Sequence, residues 1–441
     1  MPKKWLKMVL NKDFAFLSLI RAKDFLFGGK ELLFFKISKL MFVVDTFVSL
    51  QKILTLYDDR IKNILYFVAK ESTKSIVSQE IKQFGYKRST HLFERMLKQF
   101  EYTGIGKSKI LRLDIEKGVI KIRNPNCVFA KRFRRMCGFQ SQPIDFYICG
   151  IYTGIAEAVF QTEFIGIEES CIACLAPACI FNIYATKKIP DRKKLENGFM
   201  PDKSRCRIDI DIIKEATKFE NMLEKRKTSR LNSITERFIR TNKMVYKDGT
   251  IKVLGGYIFL IPLNNIILIQ KLLEKDSRIC EALYFVGKMQ TITAANIMKK
   301  RFGFENILKL FAVIFRQSEL IGFGDFKMLK SDTKKKYALA QSINNKFSLQ
   351  YFKLFGKQDH PVDYLLSGMG AGIAEVLVKE RMVLIQKCCI AQQSPSCVFE
   401  TFEEKKIDSF CNPQQKLFFR KLNEIENDIK NKINWKNFYK Y

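Results

Sequence analysis

Histidine is almost missing from this chain, with 2 residues in 441. These are His91 and His360, so general acid–base chemistry by imidazole has little to draw on, although carboxylates and lysines are plentiful. No GxxxxGK[ST], HExxH or GxSxG motif occurs anywhere. A lone Gly104-x-Gly106 lacks the third glycine and the strand-to-helix setting of a dinucleotide loop. With no nucleotide or flavin fingerprint, a redox enzyme would have no visible electron carrier. The opening MPKKWLKMVLNKDF has neither a long apolar core nor a small-residue cleavage site, so a secretory leader is not expected. Acidic residues are short as well, 45 against 77 lysines and arginines.

The resulting net charge of +32 invites a nucleic-acid or anionic-surface reading. Lysine greatly outnumbers arginine, however, and the excess is spread along the chain. That pattern fits a solvated surface better than a phosphate-reading face, and nucleic acid is not the expected partner. The length is that of about two to three domains, and 47% apolar residues supply large cores. Twelve cysteines without a secretory leader read as reduced thiols in a cytoplasmic protein, some of them able to hold metal.

The chain is built on a repeat. Residues 143–181 return as residues 361–399 at a constant offset of 218 residues, without a gap. Pro143, Asp145, Gly150, Gly154, Ile155, Ala156, Glu157, Cys171, Pro177, Cys179 and Phe181 all meet identical partners at that offset. Upstream, YFVAK at 66–70 answers YFVGK at 284–288, and Gly104 and Gly106 answer Gly322 and Gly324. A whole domain has been duplicated. The boundaries expected are a first domain over 1–190, a charged linker over 191–233, a second domain over 234–410 and a C-terminal helix and tail over 411–441. The uncharged run 253–270 is long enough to raise a membrane span. It contains Gly255-Gly256 and Pro262, and its counterpart carries Lys36, Lys39 and Asp45, so buried structure is expected instead.

Each copy reads as an α+β unit. A hairpin runs into a helix over 25–47 and 244–261, with Asp248-Gly249 suiting a tight turn of positive φ. Helices follow at 61–80 and 91–100, and at 278–302 and 305–315. The alternation of ILRLDIEKGVIKIR around Lys117-Gly118 predicts an antiparallel hairpin. Asp145 and Asp363 are placed to cap the next helix, and strands at 164–167 and 179–184 close the unit. The basic run 131–135 reads as a solvated loop or an anion-contacting patch. Residues 414–434 form an amphipathic pattern with Leu417, Leu422, Ile425 and Ile429 near one face.

Two constellations carry possible chemistry. Glu168-x2-Cys171-x7-Cys179, with Cys174 inside it and Asp145 at the adjacent helix start, offers thiolates and carboxylates in number for a tetrahedral site. The alternative is a set of small buried residues lining a tight turn. The second copy keeps Asp363, Cys389 and Cys397, but Gln386 replaces Glu168 and Gln392 replaces Cys174. The other constellation is the helix bearing Gly150, Gly154, Ala156 and Glu157, repeated as Gly368, Gly372, Ala374 and Glu375. Small residues four apart admit either a packed helix or an apolar ligand. The glutamates can cap, pair with a lysine or touch that ligand. No catalytic residue is nominated.

In this order of elements, ending in E-x2-C-x7-C, the chain resembles the 4-vinyl reductase domain family, a predicted hydrocarbon-binding module. That family is related to phenol-type sensor domains and to vesicle-tethering subunits. The resemblance covers both copies. It implies, for each, a four-stranded antiparallel sheet backed by helices, an apolar pocket and pairing of domains, here as an internal pseudo-dimer. In the sensor branch it implies zinc held by the glutamate and two cysteines, hence Glu168, Cys171 and Cys179. The family's further upstream cysteine is missing, with Asp145 or Cys174 as its substitute. The function implied is non-enzymatic binding or sensing of an apolar small molecule, acting through an unidentified protein partner. The alternatives are a tethering-type scaffold or an accessory to a reductase.

Overall fold

The computed structural model describes residues 25–28, 31–34, 37–188, 201–202, 244–253, 256–274, 278–302, 323–324, 326–332 and 334–432. In the first half, strands β1 (Phe25–Gly28), β2 (Glu31–Phe34) and β3 (Ile37–Val43) form an antiparallel meander. Helices α1 (Val44–Tyr57), α2 (Ile61–Phe84) and α3 (Thr90–Phe100) follow. Hairpin β4 (Lys109–Asp114) and β5 (Val119–Asn124), helices α4 (Val128–Cys137) and α5 (Phe146–Phe160), and strands β6 (Phe164–Ser170) and β7 (Cys179–Ala185) complete it.

The second half repeats this order. Strands β8 (Met244–Lys247), β9 (Thr250–Val253) and β10 (Gly256–Pro262) lead into α6 (Leu263–Leu273) and α7 (Ile279–Phe302). Then come β11 (Lys327–Asp332), β12 (Tyr337–Ser342), α8 (Lys346–Phe355), α9 (Tyr364–Val378), β13 (Met382–Cys388) and β14 (Cys397–Glu403). Short α10 (Ile407–Phe410) and long α11 (Pro413–Lys432) end the described chain. From β4 to β7 every boundary recurs 218 residues later, and the two four-stranded antiparallel sheets have equivalent orders, β4-β5-β7-β6 and β11-β12-β14-β13. The duplicated α+β architecture read from the sequence is the one observed.

The halves are joined through a third sheet of order β1-β2-β3-β10-β9-β8. Its central pairing sets Leu40 opposite Ile261, Phe42 opposite Phe259 and Val43 opposite Ile258. Under the repeat Leu40 becomes Ile258 and Val43 becomes Ile261, so the first and last of these pairs exchange. That is the signature of a self-complementary two-fold contact. Helices cross over in the same manner, α1 packing on α7 and α6 on α2. Phe259 of β10 enters the first half's core, with ring centroids 4.8 Å from Phe129, 5.1 Å from Phe47 and 6.0 Å from Phe42. Burial of such rings, with their edge-to-face contacts, is the main adhesive here.

This geometry explains the Gly-x-Gly. Gly104 has φ 96° and Gly106 φ 100°. A Cβ on Gly104 would strike the Ile258 carbonyl, and Gly106 donates its amide to the Gly249 carbonyl at 2.7 Å. The motif is a seat for the other half's hairpin, whose Asp248-Gly249 turn has the expected positive φ. The apolar run 253–270 becomes β10 and the start of α6, largely buried in this junction. Among the described residues no helix is long and apolar enough to cross a membrane.

Four local expectations are corrected. The basic run 131–135 lies within α4, and Arg132 is buried in an ion pair with Asp45 of α1. The helix forms because Phe129, Phe133 and Met136 share a buried face with it. Asp145 and Asp363 precede α5 and α9 but neither side chain caps its helix. On α11, Leu422, Ile425 and Ile429 are buried whereas Leu417 is exposed; Phe419 is buried on that helix instead. Strand β6 also runs to Ser170, past the expected end, with a bulge between Glu168 and Ser170. The expected helix 305–315 and the tail 433–441 lie outside the described residues, as does linker 191–233 apart from 201–202.

Candidate metal centre

Four elements deliver side chains to one buried point in the first half. On β6, Phe164, Gly166 and Glu168 alternate onto the core face, so a carboxylate enters an otherwise apolar row. Past the bulge, Cys171 opens a single 3-10 turn and Cys179 opens β7. Asp145 stands just before α5, buried and without a capping bond from its side chain to that helix. The ligand atoms of Asp145, Glu168, Cys171 and Cys179 all lie within 4.8 Å of one another, and all four residues are buried. Two cysteines on a strand-turn-strand and the acid that precedes α5 thus meet at one buried point. Cys174 is half-buried at the end of the 3-10 turn and stands outside this set.

A fifth group was not foreseen. Cys127, immediately before α4, donates its thiol to Asp145 Oδ2 at 3.0 Å, and Cys179 donates to the same oxygen at 3.1 Å. The Cys179 and Cys171 sulfurs are 3.9 Å apart. Glu168 Oε2 accepts the Asp145 backbone amide at 2.7 Å. Asp145 Oδ1 and Glu168 Oε1 are buried without a hydrogen bond. Burial pushes the Asp145 carboxyl up to about 6, and it holds Glu168 well above the ordinary carboxylate range, with the Asp145 charge adding to it. The Cys127 thiol rises to about 11 and Cys179 is raised as well, burial being the chief cause in both. Two bare buried carboxylate oxygens among thiols are an arrangement that a cation would satisfy, and the donor set fits a divalent metal that accepts sulfur and oxygen.

The second half brings together Asp363, Cys389 and Cys397, likewise buried and within 4.8 Å. Its surroundings differ. Gln386 Oε1 accepts the Asp363 amide at 3.2 Å while its Nε2 donates to Asp363 Oδ2 at 2.6 Å. Asn345 donates to that oxygen at 3.2 Å, and Ser348 Oγ donates there too. Asp363 Oδ1 is without a partner. Burial pushes Asp363 up to about 8, and a bond from Cys397 brings Cys389 down to about 6.

The glycine-bearing helices face protein. Cβ atoms on Gly150 and Gly154 would collide with the Tyr66 and Lys70 carbonyls of α2; on Gly368 and Gly372, with Tyr284 and Lys288 of α7. Ala156 and Ala374 are buried on the same helices. Glu157 bridges Lys70 at 2.7 Å and Lys74 at 2.8 Å and accepts the Phe164 amide at 2.9 Å. Glu375 pairs with Lys288 at 2.8 Å in a more open setting. An adjoining cleft of about 490 Å³ has Lys70, Glu71, Lys74, Arg88, Glu157 and Glu163 among its lining residues.

No protein-family profile matches the chain, and no curated protein matches it. Among solved structures, the phenol-responsive sensory domain of the transcription activator PoxR, with phenol, is similar over 40% of this chain and 90% of that one. Sequence identity is 11% and the TM-score 0.34. That likeness is too remote to transfer a ligand or a metal.

Proposed function

We propose that this chain is a non-enzymatic binding module whose first half is fastened by a divalent cation, zinc being the ion its thiols and carboxylates favour. The observation that carries the reading is the buried convergence of Asp145, Glu168, Cys171 and Cys179, with two carboxylate oxygens left bare. The ion would bind the start of α5 to the β6–β7 turn, so that metal binding and folding share one free energy. The set offers four protein ligands and so favours a closed structural site over an open catalytic one. Within this reading the guest is a small apolar molecule, as the 4-vinyl reductase resemblance implies, and the fused halves replace the pairing of two separate domains.

Two measurements test it. Elemental analysis of the purified chain is expected to find zinc, lost in Cys171→Ala; a metal-free wild-type chain overturns the metal part. Native mass spectrometry after mild extraction is expected to find a co-purifying apolar molecule, and its absence removes the guest. A second reading, a scaffold that binds proteins through its surface, is favoured by the backbone-to-backbone contact at Gly150 and Gly154, which leaves no space for a ligand on that helix face.

A further inference from the structure

We propose that the second half has exchanged its ion for a hydroxyl: Ser348 closes the cluster of Asp363, Cys389 and Cys397, so that only the first half takes a divalent cation. This rests on the reading of the first-half cluster as a metal centre.

Ser348 stands at the repeat position of Ala130, and both are fully buried. Its Oγ donates to Asp363 Oδ2 and lies 3.1 Å from Cys389 Sγ and 3.3 Å from Cys397 Sγ. A single oxygen thus touches all three groups that an ion would need, and two atoms cannot share that space. The Ala130 methyl makes no such bond, and the first-half cluster keeps its centre.

Two further exchanges run the same way. Glu168 can only accept while ionised, whereas Gln386 accepts the same backbone amide and also donates to the aspartate. Cys127 provides no cap for α4, whereas Asn345 donates to Asp363 and caps α8 by accepting the Ser348 amide at 3.0 Å. Asp363 Oδ2 therefore receives three donors of oxygen or nitrogen besides the Cys397 thiol at 3.8 Å, where Asp145 Oδ2 receives two thiols. One carboxylate oxygen stays bare in the second cluster, Asp363 Oδ1, against two in the first. Both exchanges place a neutral nitrogen donor on the aspartate, where the first cluster has a carboxylate and a thiol.

The test uses the full chain, stripped with a chelator and titrated with cobalt(II). Binding is read by thiolate-to-cobalt charge-transfer absorption. Wild type is expected to take one equivalent, lost in Cys171→Ala and kept in Cys389→Ala. Two equivalents, one of them lost in Cys389→Ala, overturn the proposal and leave the first-half centre standing; no equivalent at all removes that centre and the proposal with it. Ser348→Ala/Gln386→Glu is expected to gain a second equivalent, and its remaining at one overturns the proposal. Should that variant fail to fold, the reciprocal Ala130→Ser/Glu168→Gln decides. It is expected to stay folded, to take no cobalt, and to melt at the same temperature with and without the ion; cobalt bound at wild-type affinity overturns the proposal.

Discussion

Cys127 and Cys171 both stand near Asp145, but only Cys171 belongs to the set whose ligand atoms all lie within 4.8 Å of one another. Cys127 reaches Asp145 through a thiol hydrogen bond at 3.0 Å and orients it. Removing a ligand and removing its support have separate consequences. Cys171→Ala is expected to abolish metal binding. Cys127→Ala is expected to keep the stoichiometry while weakening affinity about 10–100-fold, as loss of an outer hydrogen bond does. Competition against a chromogenic chelator measures both. At this scale the sequence was partly transparent. Asp145, Glu168, Cys171 and Cys179 announce themselves by type and spacing, because a strand-turn-strand returns residues eight apart to neighbouring places. Cys127 did not, because its repeat partner is Asn345, and a search for identities passes over positions where the two copies have diverged. Those divergent positions are the ones that separate the two clusters chemically.

Helix pair α2 and α5 shows what fixes an element in place. Gly150 and Gly154 let α5 approach the α2 backbone, and Gly154→Ala is expected to cost about 1–3 kcal/mol or more by overpacking. Beside them the buried Lys70–Glu157 pair spans the same two helices. Glu157→Ala strands Lys70 in the interior and is expected to cost about 3–5 kcal/mol, whereas Glu375→Ala, at a partly exposed pair, costs distinctly less. Urea unfolding of the two variants makes the comparison. The end of β14 carries a different electrostatic device. Glu403 is paired with Lys336, Lys405 and Lys406 at 2.9–3.0 Å, and their hydrogen bonds, that of Lys336 first, hold its carboxyl well below the usual range. A pKa depressed by folding contributes stability that is present above the unfolded value of about 4.3 and is lost as pH falls toward the folded one. Glu403→Gln is therefore expected to lower the melting temperature at pH 7, with the difference shrinking below about pH 4 and in high salt. The helices and hairpins were legible because their apolar periods are strong. The basic run 131–135 was not, because Arg132 is held inside by Asp45, some 87 residues away in the chain.

On the scale of the whole molecule, two copies of one domain have grown together. Strand β10 of the second half supplies Phe259 to the first half's core, and each half's first helix packs on the other's second, α1 on α7 and α6 on α2. Phe259→Ala is expected to cost about 3–5 kcal/mol and to destabilise both halves in a single transition, with near- and far-ultraviolet signals coinciding. The repeat announced the duplication, but no local pattern could show that the halves share a sheet, since the pairing of Phe42 with Phe259 is a contact between distant segments. Duplication also frees one copy to lose a function that the other keeps. On the proposed reading these twin halves are chemically unequal, one closed by an ion and the other by its own hydroxyl. Native mass spectrometry of the intact chain tests it most directly. A mass increment of one divalent ion per chain is expected, absent in Cys171→Ala and unchanged in Cys389→Ala; an increment of two ions, or of none, overturns the inequality of the halves.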